Sequence, residues 1–458
     1  MDFKRIILGL FFLGLFFLPF NNIEGYKVLS IFKTNGVAYF WIPILLLMSF
    51  RILFFKGDIM FPPIKESYRV FCLFIIVAVL STFLNIGDVL TQFFKQKTGI
   101  HMFLVNLFML LYAGVGLVIL ILTVFKDIQI EVIFKTVRKV LLASFIFVFF
   151  YAVIQFLILR LGFEELRAVY YSLDVLPFVR GTLFYSQGRL NSVSYEVPAL
   201  GTYLVFISGW MFSYTLTHKS TWRFVPFTMV LLLVYFSGAR SAILSVIPQV
   251  IVILLFLSPI RNFINKYKKV CISIIVLGGI FILSLAGWAI KNQLNKEGVE
   301  SIIGTSISNK SRIGMQVASI KVFMDSPVYG VGLGQETYYK RGYYPEWAVK
   351  DNYEFTNIYL NENERMYPPA FNLYTKLLAE LGIVGFTVFI IFLVVVVKES
   401  IYEIKRGLSI NQLFAKVLLI SFVGLIINWG QNDDYILYGF WISYGFLLLL
   451  KKDSLENV

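Results

Sequence analysis

"GRLNSVSYEVPALGTYL", residues 188–204, begins polar and ends as an apolar segment of the kind that enters a bilayer. It sets Arg189 and Glu196 at the mouth of that segment, where charge is expensive. Pro198 suits a first helical turn, because the N–H it lacks has no partner there anyway. The stretch therefore predicts a helix starting near Glu196. If the residues before it are also helical, the spacing of seven places Arg189 and Glu196 on one face. Such a pair is either a salt bridge capping the helix or a cation and a carboxylate held for a ligand.

The rest of the chain makes the segment one of many. Hydrophobic residues are 58% of the 458 and charged residues 15%, against roughly 25% charged in a soluble domain. The mean hydropathy is +0.77. Twelve runs approach or exceed the roughly 20 residues that cross a bilayer as a helix. They lie near 4–20, 36–55, 69–87, 101–125, 138–160, 198–217, 222–239, 240–258, 269–290, 371–397, 411–429 and 433–450. The expected fold is an all-α integral membrane protein, with residues 1–458 as a single membrane domain. The first run follows Lys4 and Arg5 like a signal-peptide core, but it has no small-residue cleavage site and is kept as a helix.

The net charge of +14 does not point to nucleic acid. In membrane proteins positive charge reports topology and contact with anionic lipid. With a cytoplasmic N-terminus, inner loops hold Lys65, Arg69, Lys126, Lys135, Lys398 and Lys405 among others, whereas short outer loops hold only Lys27, Lys33, Lys95, Lys97 and Arg240. This bias predicts both termini inside. Two outer segments, 161–197 and 291–370, are too long to be plain connectors and read as functional. The second contains "RIGMQVASIKVFMDSP", whose apolar spacing predicts an amphipathic helix at the membrane surface, stopped by Pro327. Cys72 and Cys271 sit in apolar runs and form neither a metal spacing nor a disulfide framework.

Four polar constellations stand out. Arg189 and Glu196 are the first, with Tyr195 between them. The second is "SGARSA", where Arg240 follows a break at Ser237-Gly238 on the outer side, against the topology rule. Snorkelling would explain such an arginine, but a charge at a mouth is a functional candidate by default. Third is "SRIGMQVASIKVFMDSPVYGVGLGQ", with Arg312 opening a helix and Gly330, Gly332 and Gly334 after it. Those glycines open no dinucleotide-binding helix; they permit a tight turn against a ligand, or a plain structural loop. Fourth is "AFNLYTKLLAELGIVGF", where Asn372 suits a helix N-cap and Lys376 and Glu380 can pair at i, i+4. Asp433 and Asp434 read as a solvated turn. No P-loop, H-x-x-x-H, G-x-S-x-G or D-x-D pair appears, and no cofactor or metal is expected.

Taken together, the long outer loop before the last three spans, the arginine with "E-x-P", "SGARSA", "DSPVYGVGLG" and "NLYTKLLAELGIVGF" resemble the O-antigen polymerase and O-antigen ligase superfamily. The resemblance covers nearly the whole chain in layout, through short motifs. It implies a GT-C-like membrane glycosyltransferase, metal-independent, working on the outer face of the bacterial plasma (inner) membrane. Its substrates would be oligosaccharides on undecaprenyl pyrophosphate, with membrane lipids and a polysaccharide chain-length regulator as further partners. Ligases of the group have a histidine beside the asparagine of the tenth span; Phe371 stands there here, which favours polymerase. On this resemblance Arg189, Arg240 and Glu196 are the expected catalytic residues, with Glu196 as general base or as orienter of an arginine. Arg312, Arg180, Asn372, Tyr195 and Gly332 are expected to bind pyrophosphate or sugar. Tyrosines such as those of "ETYYKRGYYPEW" would stack on sugars or anchor the loop at the interface. The alternatives are a ligase acting on lipid A core and, from another class, a lipid-linked oligosaccharide flippase. A flippase needs charges deep in its spans, and here they gather at the mouths.

Overall fold

The computed structural model describes residues 3–26, 29, 32–55, 59–176, 178–183, 188–256 and 307–456. Its helices are α1 (Phe3–Phe16), α2 (Ala38–Phe55), α3 (Glu66–Leu84), α4 (Ile86–Thr91), α5 (Gly99–Leu111), α6 (Leu117–Phe125), α7 (Ile130–Leu161), α8 (Leu166–Ser172), α9 (Val197–Thr217), α10 (Val225–Ser237) and α11 (Arg240–Phe256). After residue 306 come α12 (Ile307–Asp325), α13 (Glu336–Lys340), α14 (Glu346–Val349), α15 (Leu373–Arg406), α16 (Ser409–Asn428) and α17 (Tyr438–Glu456). Among the described residues the only sheet is a two-stranded hairpin pairing Phe93 with Thr98 and Phe94 with Lys97. The expected span at 269–290 and the start of the long segment, 291–306, lie outside the described residues.

The other expected spans all fall on helices, but they are not equal. Six are long and apolar enough to cross a membrane: Glu66–Leu84, Gly99–Phe125, Ile130–Leu161, Val197–Thr217, Leu373–Arg406 and Ser409–Asn428. Ala38–Arg51, Thr221–Ser237, Arg240–Phe256 and Tyr438–Leu450 are apolar but shorter. The chain is a multi-pass helical membrane protein.

Packing follows composition. α17 is apolar on every side up to Leu450, and accordingly lies inside the bundle, with Phe440, Trp441, Tyr444 and Phe446 buried. Phe71 of α3 meets Phe392 of α15 and Trp441 of α17 at ring-centroid separations of 5.3 and 5.1 Å. Apolar burial gives no advantage over lipid within a membrane, so close approach and polar glue select these contacts. Gln249 of α11 supplies glue, donating to the carbonyls of Val205 and Ile420 at 2.9 and 2.8 Å.

One end of the bundle collects the N-termini of α9, α11, α15 and α17 and the C-termini of α10 and α16. There the Leu373 N–H donates to the Trp429 carbonyl at 2.9 Å, and the Thr202 hydroxyl donates to Asn428 at 3.0 Å. Segment 307–372 covers this end through a specific joint. α15 is broken at Gly382, with φ of +63°. The chain at 327–332 docks into the break: the Ile383 N–H donates to the Pro327 carbonyl at 2.8 Å, and the Gly332 N–H to the Glu380 carbonyl at 2.8 Å. A Cβ on Gly330 would stand 2.4 Å from the Glu380 carbonyl, and one on Gly382 2.3 Å from the Val328 carbonyl oxygen. Only glycine fits on either side. "DSPVYGVGLG" and "AELGIVG" are thus two halves of one joint.

The joint changes two expectations. α12 does not turn its apolar stripe to the membrane surface; Met315 packs with Ala348, Phe355 and Tyr359, and Val322 with Val331 and Ala379. The tyrosines of "ETYYKRGYYPEW" are engaged by protein: the Tyr338 hydroxyl donates to the Lys97 carbonyl at 3.0 Å and Tyr339 to Asp88 at 3.1 Å.

Candidate active site at the mouth of the bundle

Residues 188–196 are not helical, so Arg189 and Glu196 do not share a helix face. The loop brings them together by another route. Glu196 is the N-cap residue of α9 in extended conformation, with Pro198 in the first turn. Arg189 crosses to the break between α10 and α11, where its guanidinium donates to the Gly238 carbonyl at 2.6 Å. Gly238 closes α10 in the left-handed region, at φ of +68°, and α11 starts two residues later at Arg240. The short "SGAR" break therefore holds Arg189 and Arg240 side by side.

Burial lowers the Arg189 pKa, and the neighbouring charges of Arg240 and Arg312 lower it further, with Glu196 acting in the opposite direction. Three arginines from three separate parts of the chain thus share one mouth. Like charges repel, and a cation at the N-terminus of α11 also opposes the helix dipole. An arrangement that accepts both costs suits an anion, which helix N-termini bind through their free N–H groups.

A second layer surrounds the arginines. The Arg312 guanidinium lies 4.6 Å from the centre of the Phe371 ring. Phe371 adopts φ of +56°, a strained value for an aromatic residue. Next to it, Asn372 caps α15 by accepting from the N–H groups of Tyr374 and Thr375 at 2.9 and 3.3 Å, and its amide reaches Gln316 at 3.4 Å. The Tyr195 pKa is raised by burial first, then by Glu196, to which it is hydrogen-bonded, and by Asp434, while Arg312 opposes the shift. Tyr195 is nevertheless 50% exposed. Tyr359 is pushed up to about 12 by burial, and it too feels Arg312 and Glu196.

The mouth therefore joins Arg189, Arg240, Arg312, Glu196 and Tyr195. Asn372 stands beside it as a cap tied to the Arg312 helix. Gly332 does not face it: the glycine is buried against Thr82 and Glu380 in the joint. Arg180 is exposed, and its carbonyl accepts from Asn22 at 2.9 Å. Lys376 and Glu380 take separate partners; the amine donates to Asn106 at 3.2 Å, and the carboxylate accepts from Tyr435 at 3.1 Å. Asp433 is half-buried and Asp434 exposed, as expected of a solvated turn, and both carboxylates also accept from backbone. Asp433 accepts from the Ala370 N–H at 2.6 Å, and Asp434 from the Ile436 N–H at 2.8 Å. Asp434, Tyr359 and the platform role of Phe371 carry no signal in the sequence, because only folding brings them to the arginines.

Residues 225–390 match the family model described as O-antigen ligase. The match supports placing the chain in the O-antigen polymerase and ligase superfamily, whose activity is membrane glycan transfer. It includes Arg240, Arg312, Gly332 and Asn372, and it stops short of Arg180, Arg189, Tyr195 and Glu196. No curated protein matches the chain.

Proposed function

We propose that the chain is a surface-polysaccharide polymerase of the O-antigen type. It joins oligosaccharide repeats carried on undecaprenyl pyrophosphate at the outer face of the bacterial plasma membrane. The observation that carries this reading is the convergence of Arg189, Arg240 and Arg312 at one mouth, an arrangement suited to an anion of high charge.

A hydroxyl oxygen of the acceptor repeat attacks the anomeric carbon of the donor. The bond from that carbon to the pyrophosphate oxygen breaks, and the electron pair leaves on undecaprenyl pyrophosphate. Negative charge grows on the leaving group, and the preset arginines stabilise it in a partly dry mouth. Arginine suits this work through its planar fork, which meets phosphate oxygens in pairs. Glu196 takes the proton of the attacking hydroxyl, and the Tyr195 hydroxyl fixes the carboxylate. Asn372 keeps the start of α15 in register with α12 and so holds Arg312 in place. These roles need no metal, and the charge pattern supports a GT-C-like mechanism that uses cationic side chains.

Orientation follows from the basic residues. Those assigned to inner loops lie at the end of the bundle opposite the mouth, as in the pair Lys398–Glu66, which supports a mouth facing outward. Phe371 supports polymerase over ligase, because it offers Arg312 a ring and has no proton to exchange. A chain-length regulator would act from the outer loops. The test is reconstitution of the purified protein with lipid-linked repeats alone. A glycan ladder on undecaprenyl pyrophosphate is expected. Transfer only on addition of lipid A core would make the chain a ligase.

A further inference from the structure

We infer that a cationic cleft between α3 and α15, at the end of the bundle opposite the mouth, binds the phosphate head group of an anionic phospholipid. The inference does not depend on the transferase reading above. The cleft measures about 600 Å³, within the range of small-molecule sites. Lys65 and Arg69 line it from the start of α3, and Lys398 and Tyr402 line it from α15.

The cleft is built on a polar tie between helices. The Ser67 N–H and hydroxyl donate to Glu399 of α15 at 3.3 and 2.7 Å, and the Tyr444 hydroxyl of α17 donates to Ser67 at 3.1 Å. Glu399 is only 5% exposed, so its charge faces inward. The second carboxylate of the lining, Glu66, pairs with Lys398 at 3.4 Å, with side chains 58% and 68% exposed. An ion pair that open to water contributes little and yields readily to a phosphate. Among the described residues the lining thus holds three cations against two carboxylates, one of them buried. The N-terminus of α3 adds the positive end of its dipole. Arg69 is exposed, and its planar fork can meet two phosphate oxygens at once.

The level of the cleft and its surroundings point to a lipid as the source of the phosphate. From Leu373 at the mouth to Lys398, α15 covers about 37 Å at roughly 1.5 Å per residue. The hydrocarbon core of a bilayer is about 30 Å thick. With the mouth at one surface, the cleft therefore lies among the head groups of the other. Exposed apolar residues continue from the cations toward the middle of the bilayer. On α3 the row runs from Arg69 to Leu73 and Ile76, and on α15 from Lys398 to Val394 and Ile391. Each row follows the i, i+3 and i, i+4 spacing of one helix face. Acyl chains can lie along these rows while the phosphate meets Lys65, Arg69 and Lys398. Basic pockets between helices suit anionic lipids in this way. A zwitterionic lipid is a poorer occupant, because its own cation meets the same lysines and arginine.

The test uses the full-length protein in detergent, titrated with phosphatidylglycerol and read by native mass spectrometry. Saturable binding is expected, about tenfold weaker in K65Q/R69Q. A K135Q/K139Q variant loses the same charge from exposed positions of α7 and should bind as the wild type does. Wild-type protein in nanodiscs, photolysed with a diazirine-bearing phosphatidylglycerol, should carry label on residues 64–73 and 391–402. That map decides the point even if K65Q/R69Q fails to insert. An equal addition of phosphatidylcholine should not displace the label. Unchanged binding in K65Q/R69Q, equal weakening in both double variants, label spread evenly over the lipid-facing surface, or displacement by phosphatidylcholine would overturn the inference. Displacement by soluble glycerol phosphate at the concentration of the lipid would keep a phosphate site and overturn the lipid as its occupant.

Discussion

Arg189 reaches from the loop before α9 to the Gly238 carbonyl that closes α10, at 2.6 Å. This bond sets the mouth, because it fixes one arginine against the turn from which the next, Arg240, emerges. Gly238 is irreplaceable on two counts. Its φ of +68° disfavours any other residue, and a Cβ there would stand 3.3 Å from the Arg189 Nε. Gly238→Ala should therefore cost about 1–2 kcal/mol in stability. It should also lower the transfer rate more than the stability loss explains. Parallel thermal-melting and turnover assays of the variant test both.

Arg240→Lys keeps the charge and loses the fork. If the guanidinium grips the leaving pyrophosphate in pairs of bonds, transfer should fall on the order of 10²–10³-fold, the range seen when a single charge-stabilising donor is lost. Insertion and melting should be unchanged, since the side chain is exposed. Wild-type glycan length in this variant would remove Arg240 from the mechanism.

Glu336 and Lys340 form a buried ion pair at 3.2 Å, 2% and 0% exposed. Ser319 of α12 also bonds to Glu336, and Lys340 donates to the Pro368 and Pro369 carbonyls at 3.3 and 3.0 Å. The pair thus ties the Arg312 helix to the irregular segment that presents Phe371. Glu336→Ala strands a buried cation and should cost about 3–5 kcal/mol. Replacing both by Leu and Met should cost much less. Chemical denaturation of the three proteins in one detergent measures the difference.

Asp434 is exposed as a residue, but the protein packed around its carboxyl raises its pKa, with Asp433 adding to the shift and the Ile436 N–H opposing it. A carboxyl raised in the folded state contributes stability while protonated, below its unfolded pKa. That contribution is lost as pH rises through the folded pKa. Asp434→Asn keeps an acceptor for the Ile436 N–H and removes the titration. The variant should gain melting temperature relative to wild type as pH rises through the carboxylate range, and the gap should level off above it. A gap independent of pH would mean that Asp434 does not titrate in that range.

The sequence was informative wherever a residue's role is local. Pro198 and the hydropathy runs mark helix starts and spans, and Asn372 reads as the N-cap that it is. Arg189 and Arg240 were conspicuous as charges where charge is costly, and Arg312 as the cation that opens a helix. What could not be read was their meeting, because it depends on a loop crossing from α9 to the α10–α11 break. Helical spacing was the wrong reason for pairing Arg189 with Glu196, although the two charges do act on each other across the mouth. The glycines at 330–334 were ambiguous for a related reason: a Cβ on Gly330 would meet the Glu380 carbonyl, one on Gly332 would meet Thr82 and one on Gly334 would meet Met102 and Asn106, all far away in sequence. Length alone overstated the equality of the spans, since short apolar helices and full spans look alike as hydropathy peaks.

The central claim is that three arginines form one pyrophosphate site. It is tested most directly by titrating undecaprenyl pyrophosphate into purified wild-type protein and into single Arg→Ala variants. Saturable, salt-sensitive binding is expected, weakened at least about tenfold by replacing Arg189, Arg240 or Arg312, and hardly changed by replacing the exposed Arg406 at the far end of α15. Equal binding by all four variants and the wild type would contradict it.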